Sequence, residues 1–389
     1  MSVFEIIEIV VGLLEAEGCD INLEDSMRNT PLGWAAHHGH EEVVEMLLGR
    51  DDINPNKPND EGQTPLWCAV WNGHEGVVKI LLGRGDVDPN IPDYDHLTPL
   101  HCAARNGHER VVEMLLRRSD VDPNTLDNDD LTPLWCAVKR RHVGVGKILL
   151  GRRDVNPNRL DGDGQTLLWY SVLNGHEGVV KVLLERRDLR PNNWGRHSES
   201  PLWLAASVGH EGVVKLLLGR RDVNPNKPNN NGVTPLWCAT RNGHWRVVKM
   251  LLGRSDIVPN KPNHEGKTLL WVAVENRHEG IVKMLLGRRG VDPNRGWYGV
   301  TPLHFAAENG HERIVEMLLG RHDVDPNKLD GNGLTPLSCV RGRGRIGVVK
   351  ILLGRDDVDP AYQTSWVVRQ PLLLIAGALS LGHRTSLLC

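Results

Sequence analysis

TPLWCAVWNGHEGVVKILLGRGDVDPN, residues 64–90, is the stretch on which the fold turns. Thr64 reads as a helix N-cap and Pro65 as the first helical residue, where a missing N–H costs nothing. A Leu and small-residue face then runs until Gly73-His74 stops the helix. Val77, Val78, Leu81 and Leu82 follow at i, i+1, i+4 and i+5, the stripe of a second, amphipathic helix. That helix ends at Gly83-Arg84, where the helix dipole favours a cation. Asp86-Val87-Asp88-Pro89-Asn90 and a tip rich in Asn, Asp and Gly supply turn chemistry. The same run recurs along the chain: Thr-Pro-Leu or a close variant begins at Thr30, Thr64, Thr98, Thr132, Thr166, Ser200, Thr234, Thr268, Thr301 and Thr335, spaced by 34 with a single 33. Helix, helix and loop, ten times over, make a repeat protein.

The composition agrees with a folded, soluble chain: of 389 residues, 24% are charged, 40% hydrophobic and 5% aromatic, which excludes disorder, collagen and a disulfide-rich mini-protein. Against 49 acidic residues stand 46 Lys and Arg, a net charge of -3, so no long-range basic field gathers nucleic acid or anionic membrane. Seven unclustered cysteines fit a reducing compartment, so an intracellular protein, cytoplasmic or nuclear, is expected. MSVFEIIEIVVGLLEAEG lacks the basic start of a secretory signal. The longest uncharged apolar stretch, Pro371 to Gly382, is well short of the roughly 20 residues that span a bilayer.

The pattern D-x-x-G-x-T-P-L-x-x-A-x-x-x-G-H-x-x-V-V-x-x-L-L, whole from Asp60 to Leu82, resembles the ankyrin repeat. The other repeat of similar length, the tetratricopeptide type, needs a Trp, Leu-Gly and Tyr pattern that is missing. The resemblance implies an all-α ankyrin solenoid of about ten helix-turn-helix units joined by β-hairpin-like loops. It divides the chain into a partial repeat over residues 1–29, ten repeats over 30–362 and a degenerate cap or tail over 363–389. Glu8 to Asn22 resembles a second helix and its loop, and Gln370 to Leu381 is expected to form a capping helix. The wording Gly-Arg-x-Asp-Val-x-Pro-Asn is similar to ankyrin arrays of filamentous fungi. Two departures stand out. The family's usual unit is about 33 residues; the extra residue here falls in the Asp-Pro-Asn stretch, lengthening loops stiffened by Pro55, Pro89, Pro123 and Pro157. The family's His after Thr-Pro-Leu is kept at His101 and His304, while Trp replaces it at Trp67, Trp135, Trp169, Trp203, Trp237 and Trp271. An indole donates one hydrogen bond and accepts none, so the family's Thr-to-His bond does not carry over there.

Recurring His and Cys invite a metal reading. His40, His74, His108, His142, His176, His210, His244, His278 and His311 share one repeat position, and Cys68, Cys102, Cys136, Cys238 and Cys339 another. Stacked helices lie about 8–10 Å apart, too far for zinc ligands at about 2.0–2.3 Å or a disulfide with Cα atoms within about 7 Å. Structural roles are expected, His fixing the turn between helices and Cys as a small core residue, with no metal and no cofactor. Gly342, Gly344 and Gly347 match Gly-x-Gly-x-x-Gly but lack the preceding strand of a dinucleotide site. Asp161 to Gly164 reads as a loop tip and not a calcium loop. No Ser, His and acid set can be nominated, so no enzyme is expected. The Arg ladder, from Arg50 through Arg84 and Arg118 to Arg355, is followed in most units by Asp two residues later, as helix ends with solvated ion pairs would be.

Function then depends on where the units differ. The exposed positions of the first helices, seven and eight residues after the Thr, carry Trp71, Arg105, Lys139, Arg140 and Arg241, basic at the centre, then Glu275 and Glu308. Loop tips depart from the polar norm at Trp194 and at Trp297 and Tyr298 in the one shortened unit; Trp245 stands where most units have Glu. Exposed Trp, Tyr and Arg are usual interface anchors, with burial against the neighbouring tip as the plainer alternative for the aromatics. Trp71, Arg105, Lys139, Arg140, Trp194, Arg241, Trp245, Trp297 and Tyr298 are therefore the expected contacts of a protein partner with an acidic, partly apolar segment. A non-enzymatic scaffold or adaptor is the leading expectation. The alternatives are the sensor region of a larger fungal signalling receptor, since the chain opens inside a repeat, or an auxiliary protein of a pathway enzyme complex.

Overall fold

The computed structural model describes residues 20–193, 199–340 and 345–359. The chain divides into two compact units, Met1–Arg196 and His197–Cys389. In the first, the helices are α1 Pro31–His38, α2 Glu41–Leu48, α3 Pro65–Asn72, α4 Glu75–Leu82, α5 Pro99–Asn106, α6 Glu109–Arg117, α7 Pro133–Lys139, α8 Val143–Gly151, α9 Leu167–Leu173 and α10 Glu177–Glu185. In the second they are α11 Pro201–Val208, α12 Glu211–Leu218, α13 Pro235–Arg241, α14 Trp245–Leu252, α15 Leu269–Glu275, α16 Glu279–Leu286, α17 Pro302–Asn309, α18 Glu312–Leu319, α19 Pro336–Cys339 and α20 Ile346–Leu353. Among the described residues there is no strand, only isolated bridges at Leu160–Thr166 and Trp297–Val300, so the hairpin-like loops are turns without a sheet.

The local chemistry that starts each pair is the one the repeat implies. Thr64 Oγ1 accepts from the Trp67 amide at 3.2 Å, Pro65 opens α3, and Gly73, at φ 75, closes it with its N–H donating to Ala69 O. Only a residue tolerant of the left-handed region can make that closure cheaply. Within each unit, first helices pack on first helices and second on second: α1 on α3 on α5 on α7, and α2 on α4 on α6 on α8. The Val-Val-x-x-Leu-Leu stripe forms the core between them, with Val77, Val78 and Leu81 fully buried and Val111, Val112 and Leu115 repeating them. Burying a Leu or Val contributes roughly 1.5–3 kcal/mol, which is why these positions stay apolar, Gly146 in α8 being an exception.

The loops carry a core layer of their own. Ile53 and Pro55, Val87 and Pro89, Val121 and Pro123, and Val155 and Pro157 are all buried, so the extra residue of the long loop comes with an apolar plug. Beyond it, Asn59 Oδ1 accepts from the amides of Glu61 and Gln63 at 3.0 and 2.9 Å, and Asp127 and Asp161 repeat this turn. The expected partial repeat before residue 20 and the capping helix Gln370 to Leu381 lie outside the described residues.

Candidate functional site

The polar ladders come first, because what they bind decides which charges remain available. Every ladder Arg except Arg288, which Gly290 leaves without an acid, pairs with the Asp two residues later: Arg118 Nε and Nη2 reach Asp120 at 3.0 and 2.6 Å, and Arg186 reaches Asp188 at 2.8 and 2.6 Å. The remaining nitrogen staples the preceding repeat. Arg84 Nη1 donates to Leu48 O, the last carbonyl of α2, at 2.5 Å, Arg152 to Leu116 O at 2.7 Å and Arg254 to Leu218 O at 3.0 Å. These are carbonyls that a helix end leaves without an internal partner. The ladder arginines are thus cross-repeat caps, more than solvated helix-end charges. Their guanidinium forks hold Asp86, Asp120, Asp154 and Asp188 below the usual carboxylate range.

A second ladder was not apparent from residue types. The Asn of most Pro-Asn pairs uses both ends of its amide on the next repeat: Asn56 Nδ2 donates to Asp86 O at 2.6 Å while Asn56 Oδ1 accepts from Asp88 N at 2.9 Å. Asn90, Asn124 and Asn158 continue it in the first unit, and Asn226, Asn294 and Asn327 in the second. The histidines of Gly-His also reach across repeats, rather than fixing their own turn. His74 Nε2 donates to His37 O at 3.0 Å and His142 to Arg105 O at 3.1 Å, each ring lying on the turn glycine of the repeat before. A Cβ on Gly39 would sit 2.6 Å from the His74 ring, so that glycine is required twice over.

Two of the Trp replacements keep half of the histidine's work. His101 Nδ1 bonds Thr98 Oγ1 at 2.8 Å and its Nε2 donates to Leu131 O at 3.1 Å. Trp67 Nε1 reaches the equivalent Leu97 O at 2.9 Å, and Trp203 reaches Val233 O at 3.0 Å. Trp135 Nε1 turns instead to Arg159 O at 3.2 Å, and the buried Nε1 atoms of Trp169, Trp237 and Trp271 have no hydrogen-bond partner among the described residues, so the inter-repeat bond survives in two of the six replacements and the side-chain bond to Thr in none. Burial holds His101 and His304 neutral, below the ordinary imidazole range. The described cysteines are buried and free, and burial pushes the Cys68 and Cys136 thiols up to about 12. Among the described residues no group of three His, Cys, Asp or Glu converges on a common point. Gly347 lies in α20; Gly342 and Gly344 lie outside the described residues.

Against this background the expected contacts separate. Lys139 and Arg140, at the end of α7, are exposed, and Arg105, at the equivalent place on α5, is half-buried. Their positive charges oppose burial and Asp127, which push the Cys136 thiol up. No ion pair among the described residues involves any of them. Trp71, on α3, stacks on Trp67 with ring centres 5.1 Å apart and keeps one face open. Asn106 and Asn242, the second members of their exposed pairs, donate to Trp71 O and Ser207 O, whereas Arg140 occupies the same position without such a bond among the described residues.

In the second unit, Arg241 is exposed beside the Trp237 ring, 5.7 Å from its centre, and Trp245 opens α14 half-exposed with Arg246 stacked 5.0 Å away. Trp297 is half-buried against Trp271, with Lys267 Nζ 4.8 Å over its ring and Glu275 holding that ammonium at 3.2 Å. Tyr298 beside it is 80% exposed at φ 48. Trp194 lies outside the described residues.

A sequence model of the family described as Ankyrin repeats (3 copies) matches residues 3–93, 85–161, 146–229, 202–296, 258–330 and 290–364. The chain belongs to the ankyrin-repeat family. Each unit is accordingly an all-α ankyrin stack, and ankyrin repeats are typically non-enzymatic modules that bind other proteins. No curated protein matches the chain. Among the described residues, no helix of this ankyrin-repeat protein is long and apolar enough to cross a membrane.

Two exposed features escaped the sequence reading. Trp34, on α1, is half-exposed and stacked on His38 at 5.3 Å, with its Nε1 donating to Asp25 at 2.8 Å. The turn between the paired helices is a glycine at Gly39, Gly73, Gly107, Gly175, Gly209, Gly243 and Gly310, with φ between 64 and 88, but Arg141 and Arg277 hold the same conformation at φ 64 and 57. A residue with a Cβ costs about 1–2 kcal/mol there. The signal in the sequence was the missing Gly before His142 and His278.

Proposed function

We propose that this chain is a protein-binding scaffold whose first unit receives an acidic, partly apolar segment of a partner on the exposed ends of its first helices. The observation that carries this reading is the contrast between cations. Ladder arginines such as Arg118 and Arg186 spend every nitrogen on their own fold, whereas Arg105, Lys139 and Arg140 have no carboxylate partner among the described residues. Unpaired like charges held side by side on adjacent helices are repulsive until an anion arrives. Trp71, one repeat earlier, supplies the flat apolar face that commonly anchors such contacts. In the second unit, Arg241, Trp245 and Tyr298 are the corresponding exposed candidates, with Trp297 forming the floor beneath Tyr298. Trp194 belongs to the same proposal on its sequence alone, as does the division into a partial repeat, ten repeats and a tail.

Affinity purification of the intact chain followed by measured binding of the recovered partner tests the reading. A combined Lys139→Glu and Arg140→Glu variant is expected to weaken that binding about tenfold or more, equivalent to about 1.4 kcal/mol, while Tm stays within about 2 °C. Unchanged affinity, or a matching collapse of Tm, rejects it.

A further inference from the structure

Arg141 is the one residue of the basic cluster that the fold would be better without. Seven equivalent turns use glycine, and Arg141 holds a left-handed φ of 64 in its place. The strain is passed on. In regular repeats the next histidine lies over the turn glycine and donates to the preceding repeat, as His142 does over Gly107. Among the described residues, His176, which follows Arg141 by one repeat, makes no such bond, and its Nδ1 is buried without a partner. His311, which follows Arg277, shows the same defect, so the consequence belongs to the substitution and not to one place in the chain. What Arg141 gains in return is a single bond, Nη2 to Asn174 O at 3.3 Å, at the exposed surface. Backbone strain kept where a cheaper residue exists raises the question of a use other than folding at both Arg141 and Arg277, and their surroundings separate the two.

The surroundings say what it serves. Arg141 is exposed and continues Lys139 and Arg140 without interruption, and none of the three has an ion pair among the described residues. The nearby Asp127 is engaged by the amides of Asp129 and Leu131. Resting on the proposed function above, we infer that Arg141 is a contact residue that recognises a carboxylate of the bound acidic segment, held in place by a turn that is strained to present it. A guanidinium suits this, because its planar fork takes a carboxylate bidentately. Removing the side chain therefore has opposite effects on the two properties: the fold is relieved and the site is weakened.

The test uses the full chain and a displayed library of random peptides. Selection on the unaltered protein is expected to enrich peptides rich in Asp and Glu with an aromatic or Leu. Their affinity is then measured, with Tm, for Arg141→Gly, for Arg141→Asn, which keeps a residue tolerant of the left-handed turn, and for Arg277→Gly, which repairs the matching turn of the second unit. Supporting results are about tenfold weaker binding by both Arg141 variants, Tm unchanged or raised in Arg141→Gly, and affinity unchanged in Arg277→Gly. Acidic peptides that bind Arg141→Gly as tightly as the unaltered chain overturn the role of Arg141 and leave the acidic-partner reading standing. A fall in Tm with Arg141→Gly overturns it too, by making the arginine structural. Enrichment of neutral or basic peptides, or of none, removes both.

Discussion

The first unit contains two sets of arginines a few residues apart that share a side chain and nothing else. Arg118, Arg152 and Arg186 lie along the loop side, each forked onto an Asp and stapled to a carbonyl of the repeat before. Arg105, Arg140 and Arg141 lie at the ends of the first helices and touch no acid among the described residues. The difference teaches that a basic residue in a repeat array is informative only once its partners are counted. In the sequence both sets are simply positive; in the fold one is mortar and the other is surface.

Arg186→Ala should produce the largest effect. It strips donors from Leu150 O, Arg152 O and Val155 O and leaves Asp188 unpaired, so urea unfolding should show a loss of about 2–3 kcal/mol, the lower end favoured because Asp188 is half-exposed. Lys139→Ala, by contrast, should stay within about 0.5 kcal/mol. Equal losses would erase the distinction. Next comes Asn124→Ala, which removes both amide contacts to Asp154 O and Asn156 N and should cost about 1–2 kcal/mol in the same measurement.

Acid provides a smaller and graded separation. Because each ladder Asp is held below its ordinary pKa, the Arg–Asp contribution is present above the unfolded carboxylate range and is lost as pH falls through the folded pKa, below about 4. His101 and His304, kept neutral by burial, act earlier. The unfolded chain takes up their protons below about pH 6.5 while the folded chain does not, so stability falls as pH falls through that range. Replacing both with Trp, the residue six other repeats use, should change stability at pH 7 by less than about 1 kcal/mol and flatten part of that decline. Thermal melts of the two proteins between about pH 7 and 5 check it; parallel curves would assign the decline to other groups.

Much of the fold could be read from the chain because its instructions are local. Thr64 caps an amide three residues on, Gly73 closes a helix eight residues long, and Val77, Val78 and Leu81 announce their stripe within two turns. The ladders could not be read that way. Asn56 acts on residues 30 and 32 positions away, His74 on one 37 away, and the acceptors are backbone carbonyls that carry no residue-type signature. For the same reason the exposed first-helix positions were nameable as candidates, while Arg141 was not. Its signature is a backbone conformation, visible in sequence only as a Gly that failed to appear. Trp297, in turn, is open by its place at a tip to either an exposed anchor or burial against the neighbouring tip; it is half-buried over Trp271, with Lys267 lying over both rings.

The asparagine ladder also governs how such a chain can change in length. Each rung grips the next repeat before the loop tip begins, so the tip lies outside the grip. The shortened unit shows this: Asn294 still reaches Asp323 O at 2.5 Å and Asp325 N at 2.9 Å, although one residue is missing between Asn294 and Thr301. A whole repeat inserted or removed within either unit would meet the same donors and acceptors on both sides, and no new joint would have to be invented. Copy number is then a variable the fold leaves open. Each added copy lengthens the exposed row of first-helix ends by about 8–10 Å, one helix spacing, so recombination between near-identical repeats adjusts the reach of the surface separately from its chemistry.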